Sequence, residues 1–200
     1  MAKVEIEVPN GKIAEVTKNG DKVVVTFKEA SILDCLKDFG AVVKYLSGLA
    51  FNDVEWAVRL LEEYKMTKPG TYSERITAYR MVVAALTNNE QRHLTTGERW
   101  YPVVQFCRPK DVKNCWGNEV IGRIKSEGQE FVVVGGHASG GASAGLSYFY
   151  SDGGVSASWT DIGFRSVSSE EIAKHISKYF GKLLFEVHYG GTNCDWSWKN

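Results

Sequence analysis

The chain has 200 residues, of which 44% are hydrophobic and 24% charged, with 24 basic residues against 24 acidic ones. That length closes a real hydrophobic core, as one ordinary domain or two small ones. No polyanion-binding surface can be inferred from a formal net charge of zero, so nucleic acid drops in rank as a partner, although a neutral total leaves room for a local basic patch. No apolar run reaches the roughly 18–20 residues of a membrane span.

The opening MAKVEIEVPNGK lacks the apolar run of a signal peptide, so secretion by that route is not expected. Lys3–Val8 alternates as a half-buried strand does, and Pro9-Asn10-Gly11 marks a turn. Lys12–Val16 and Lys22–Phe27 flank Asn19-Gly20-Asp21, a hairpin signal. Ser31 then has the chemistry of an N-cap. Ile32, Leu33, Leu36 and Phe39 follow at helical spacing, with a break at Gly40 and a continuation to Gly48. Asn52 or Asp53 is the expected cap of a second helix with Trp56, Val58, Leu60, Leu61 and Tyr64 inward, ended by Pro69-Gly70. A third helix, Tyr72–Leu86, carries Ile76, Tyr79, Val82, Val83 and Leu86 as one buried stripe, and Asn88-Asn89 stops it.

From Trp100 the texture turns to β. Strands are expected at Trp100–Cys107 (with Pro102 at its start or on an edge), Val120–Ile124, Glu130–Val134, Gly145–Tyr150 and Trp159–Val167. Ser168 and Glu171 have capping-box spacing ahead of a helix with Ile172, Ile176, Tyr179 and Phe180 on one face, ended by Gly181. Leu183–His188 reads as a strand or a further helical turn, and the chain closes on an aromatic tail, CDWSW. Strands and helices segregate, which gives an α+β class. It comprises an N-terminal β-hairpin unit (1–30), a helical middle (31–97) and an antiparallel β-rich C-terminal half (98–200) with one late amphipathic helix, all three compatible with one compact domain.

The stretch Phe131–Arg165 is crowded with Gly, Ala, Ser, Tyr and Trp and nearly empty of Lys and Glu. Small residues let a backbone approach a ligand, and Tyr, Trp and Ser give rigid amphipathic area with adaptable hydrogen bonds. Within it, His137, Ser139, Ser143, Tyr148, Tyr150 and Trp159 are the candidate binding residues. Gly141-Ala142-Ser143-Ala144-Gly145 matches G-x-S-x-G, with Asp161 and His188 following in hydrolase order. A nucleophile elbow needs a strand-to-helix turn, however, and LSYFYS after Gly145 reads as a strand, while the preceding strand is expected to end at Val134. Gly135–Gly141 follows a strand as a phosphate loop would but lacks the P-loop Lys and Ser/Thr, so a flexible loop is the default.

The four cysteines, Cys35, Cys107, Cys115 and Cys194, include no C-x-x-C pair, and Cys107 and Cys115 are too far apart for one turn to present both to zinc. They read as small buried hydrophobes. A Cys107/His137 nucleophilic pair lacks any sign of proximity. Glu170 and Glu171 read as solvated partners of a helix N-terminus. No catalytic residue, metal site or cofactor is expected.

The second half resembles uncharacterised proteins encoded by phages and prophages of gut Bacteroidetes. The matching pieces are ITAYRMVVAALTNNE (Ile76–Glu90), RWYPVVQF (Arg99–Phe106), GGASAGLSYFYSDGGVSASWTDIGFR (Gly140–Arg165) and SSEEIAKHISKYFGKLLFE (Ser168–Glu186). The family offers no established catalytic residues to carry over. The order of a Gly/Ser/aromatic stretch followed by IGFR is also similar to the end of C-type-lectin-like domains. That likeness implies a core Phe164, a paired Arg165 and a contact face along Tyr148–Trp159. The chain departs from those domains in placing a helix after the motif and in lacking an RGGSW element.

The expected function is a non-enzymatic binding or structural protein of a phage or prophage, of virion decoration, fibre-associated or adhesion type. Its partner is a protein or a cell-surface glycan, reached through 135–161. Homo-oligomerisation or membership of a larger assembly is expected, in a virion or the bacterial cytoplasm. The alternatives are a small serine or cysteine hydrolase using Ser143 or Cys107, and an intracellular phage inhibitor of a host factor.

Overall fold

A computed structural model of the chain describes residues 5–9, 12–20, 22–90, 99–114, 119–126, 128–140, 148–152, 155–159, 167–189 and 195–198. The class is α+β: an N-terminal hairpin, a helical middle, then an antiparallel sheet and late helices.

The strands β1 (Lys12–Asn19) and β2 (Lys22–Glu29) pair residue for residue from Lys12↔Glu29 to Asn19↔Lys22. Gly20 enters the turn at φ +60, a conformation cheap only for glycine. The expected strand before it does not form over the described part, Glu5–Pro9. Lys12 N–H donates to Pro9 C=O at 3.1 Å, while Asn10 and Gly11 of the expected turn lie outside the described residues.

Ser31 caps α1 (Ile32–Cys35) in a capping box with Asp34. Those hydrogen bonds hold the Asp34 carboxyl below its ordinary range. The helical run breaks at 36–38, not at Gly40: the Asp38 side chain accepts the Ala41 N–H at 2.8 Å and starts α2 (Phe39–Phe51), which runs through Gly40 and Gly48. Asn52 and Asp53 serve the end of α2 instead of capping the next helix. Asn52 Nδ2 donates to Gly48 C=O, and Asp53 turns the chain at φ +59. Thus α3 (Glu55–Met66) starts from Val54 with no side-chain cap.

Thr71 caps α4 (Tyr72–Thr87), and Asn88 ends it at φ +51 as expected. The single buried stripe expected of α4 is an underestimate. From Thr77 to Leu86 every residue but Arg80 is buried, because α2 and α3 cover one side and α5 and α6 the other. Ala78, Ala84 and Ala85 leave room for that double approach. Each fully buried large side chain, Met81 and Val82 among them, contributes about 1.5–3 kcal/mol from the area removed from water.

The second sheet contains β3 (Arg99–Cys107), β4 (Glu119–Ser126), β5 (Gln129–Gly140), β6 (Tyr148–Asp152), β7 (Val155–Trp159) and β8 (Asp195–Trp198), in the order β6-β7-β3-β5-β4-β8. The aromatic tail is therefore an edge strand. Pro102 lies in a central strand and not on an edge; the β7 ladder stops at Val104, short of it. Of the strand expected at Trp159–Val167 only the two ends are described. Trp159 ends β7, and Val167 makes an isolated antiparallel bridge to Trp100, while 160–166 lie outside the described residues.

The late helix is two helices, α5 (Glu170–Tyr179) and α6 (Gly181–Tyr189), so Leu183–His188 is helical. Ser169 caps α5 by accepting the Ile172 N–H, one residue beyond the expected box of Ser168 and Glu171. Tyr179 points outward while Phe180 is buried. Both helices lie on one face of the sheet, and one cluster of buried residues runs from Leu36 through α4 to Val104, Val133, Ile176 and Leu184. The opposite face carries a smaller cluster, Cys107, Val132 and Val134, beside the 3-10 turn Pro109–Asn114.

Candidate functional site

The Gly-rich stretch splits into parts with different roles. Gly135–Gly140 is not a loop but the end of β5, which runs six residues beyond Val134. A Cβ on Gly135 would stand 3.0 Å from Ser177 C=O and 3.2 Å from Ile121 Cγ2. The glycine admits α5 to the sheet; it does not open a space for phosphate. Ser177 completes the seat. Its hydroxyl accepts the Val103 N–H at 3.1 Å and donates to Gly136 C=O, joining two groups of the β3–β5 pair Val103↔Gly136. The turn after α5 is closer still, against a side-chain end: a Cβ on Gly181 would stand 2.3 Å from Ile121 Cδ1.

His137 sits opposite Pro102, on the helix-facing side of β5. Its Nε2 is 2.9 Å from Glu170 Oε1, and its ring centroid is 5.7 Å from that of Trp100. Lys174 shares the same carboxylate oxygen at 2.5 Å. Lys174 first, then His137, holds the Glu170 carboxyl below its ordinary range. The sequence expectation of Glu170 as a mere dipole partner missed this pairing. Only the packing of α5 on β5 brings the two together.

Tyr148 pairs directly with Trp159, and Tyr150 with Ala157. Because Ala157 also pairs with Gln105, these register positions belong to the sheet face away from α5 and α6. The edge ladder β6–β7 thus brings the three aromatic positions to one face, with Asp152 its sole charged residue. Ser139 pairs with Trp100, near the open end of β5. Of the hydrolase motif, Ser143 and Asp161 lie outside the described residues, as do Cys115, Cys194 and the Phe164-Arg165 pair, while His188 falls near the end of α6. The motif's expected helix is absent over Tyr148–Asp152, which is strand. Cys107 and His137 are not a pair. Cys107 is fully buried with Val132 and Val134 on one face of the sheet, and His137 reaches Glu170 from the other, five residues along the ladder.

A separate cleft of about 780 Å³ lies between the helical middle and α5–α6. Tyr179 stands on its wall between Lys37 and Lys178, whose Nζ atoms are 5.8 and 5.6 Å from the ring centroid. Deeper in, Tyr64 donates to Glu74 at 3.3 Å, and burial together with that carboxylate pushes the Tyr64 phenol up. No sequence signal marks the cleft, because its walls come from segments far apart in the chain. His175 is buried beside it, donating Nε2–H to Leu36 C=O at 2.6 Å; burial, with Lys37 and Lys178 nearby, lowers its affinity for a second proton.

Among the described residues no group of three or more His, Cys, Asp or Glu is placed to hold a metal ion, and no helix is long and apolar enough to cross a membrane. Comparison with family models, with curated proteins and with solved structures gave no match.

Proposed function

We propose that the chain is a non-enzymatic binding or structural protein of a phage or prophage, which engages a protein or a cell-surface glycan through the outer ladder β6–β7 and the adjoining 135–161 region. The observation that carries this reading is the β6–β7 register. It sets Tyr148 against Trp159 with Tyr150 alongside, in a ladder otherwise made of Ser, Ala, Val, Phe and one Asp. Aromatic area among small hydroxylated residues is the composition of contact surfaces that bind without long flexible side chains. The resemblance to phage-encoded proteins supports a virion-associated role, in a homo-oligomer or a larger assembly. The test is binding of labelled protein to gut Bacteroidetes cells and to a glycan array. Tyr148→Ala/Tyr150→Ala/Trp159→Ala is expected to lose at least tenfold in affinity while unfolding cooperatively. Undiminished binding by that variant overturns the reading. Mass spectrometry of purified particles separates a virion component from an intracellular inhibitor of a host factor, for which pull-down from host lysate is direct.

A second reading has one observation in its favour. The imidazole of His137 is held by a carboxylate, which is how a general base is oriented. A serine hydrolase using Ser143 would label with a fluorophosphonate probe, and His137→Ala would abolish the labelling. The cysteine alternative is not supported, because Cys107 is buried on the far face from His137.

A further inference from the structure

The ribbon formed by β1 and β2 has a sorted surface that no described helix or other strand of the chain covers. Its register puts Ala14, Val16, Val23, Val25 and Phe27 on one face, with Lys12 and Glu29 (3.3 Å apart) at the base and Lys18 near the tip. The other face holds Ile13, Glu15, Thr17, Asn19, Lys22, Val24, Thr26 and Lys28, with a Glu15–Lys28 ion pair. Val16 is 67% exposed, Val23 64% and Phe27 39%. No helix or strand of the body makes more than marginal contact with the ribbon. A lone two-stranded ribbon is marginal in water, and an apolar sheet face left bare marks an interaction site.

We propose that this face is covered by the same face of a second copy of the chain, the two ribbons stacked about a two-fold axis along their length. That operation lays β1 of one copy over β2 of the other. Ala14 then meets Phe27, Val16 meets Val25, Lys12 meets Glu29, and the aliphatic stem of Lys18 lies over Val23 with its ammonium free to reach solvent near the tip, each contact occurring twice, as an isologous interface requires. Small against large fills the gap between sheets about 10 Å apart. At the base four charges alternate in sign. The other two-fold, across the ribbon, would lay Lys12 on Lys18 and Glu29 on Val23, setting like charges together and leaving a carboxylate over an apolar side chain. Two ribbon faces bury well under the roughly 1,600 Å² of a standard interface, so the association is expected in the micromolar range and depends on concentration. It is independent of the β6–β7 reading.

The test is sedimentation velocity of the full chain from low to high micromolar concentration, with hydrogen exchange read on the ribbon amides. The native chain is expected to move from monomer to dimer while those amides gain protection. Val16→Glu/Val25→Glu should stay monomeric with an unchanged melting midpoint of the body, and Thr17→Lys/Thr26→Glu, on the opposite face, should dimerise as the native chain does. Lys12→Glu/Glu29→Lys chains should pair with one another and mix several-fold less well with native chains. A native chain that is monomeric throughout, a dimer that survives Val16→Glu/Val25→Glu, equal loss from both faces, or free mixing of charge-swapped and native chains overturns the proposal.

Discussion

The β1–β2 ribbon and the β3–β5 ladder are both antiparallel pairs, eight and nine register positions long, and each holds a run of three consecutive valines, Val23–Val25 in the one and Val132–Val134 in the other. Their surroundings are opposite. The ribbon is solvated on both faces, whereas Val103, Val104, Val132, Val133 and Val134 are buried. Local chemistry makes the strand in both cases. What differs is whether anything else in the chain has been shaped to fit against it, and on β5 that fit is written in Gly135, Gly136 and Ser177.

Filling that seat should show the difference most strongly. Gly135→Val drives a side chain into the Ser177 carbonyl and Ile121. Overpacking of this kind costs about 3 kcal/mol, which a denaturant titration of the whole chain would read as a lowered midpoint. Ser177→Ala removes the hydroxyl that serves Val103 N–H and Gly136 C=O. An expected loss of about 1–3 kcal/mol follows from leaving buried backbone groups without their bridge. A smaller change would mean that β3 and β5 reclose across the gap.

A third way to sharpen the contrast is pH. Burial depresses the proton affinity of His175 in the folded chain below its ordinary 6.5. The unfolded chain therefore takes up the proton first. The stability that depends on a neutral His175 is complete above about 6.5 and is lost as pH falls toward the lower folded value. His175→Gln keeps a donor for Leu36 C=O and should flatten that acid limb in melts between pH 7 and 5. A limb identical to the native one would show that another group is responsible. The smallest effect belongs to the ribbon. Val24→Thr, on its polar face, should shift the unfolding of the body by less than about 0.5 kcal/mol.

Much of the secondary structure was legible because its signals are local. Asn19-Gly20-Asp21 placed the hairpin, Ser31 the first cap and Asn88 a helix end, each through chemistry within a few residues. Gly135-Gly136 reads as a loop because a glycine that admits a helix looks, in sequence, like a glycine that turns the chain. Likewise the stripe read on α4 assumed one covered side, and nothing local announces a second. At the candidate site His137 was legible as a residue of interest, but its carboxylate partner was not. Glu170 is brought to it by the α5 seat, and the cleft around Tyr179 depends wholly on tertiary packing. The side-by-side placement of positions 148 and 159 required the β6–β7 register, which two short strands do not declare.

The enclosure of α4 has a consequence for how the protein is made. Residues Thr77–Leu86 leave the ribosome about 5–20 s before α6 is complete, at ordinary rates of synthesis. During that interval α2 and α3 can shelter one flank, and the other stays greasy and bare until the last helices arrive. Nascent chains arrested just short of Glu170 should therefore engage chaperones that bind exposed aliphatic segments, and chains released past Tyr189 should not.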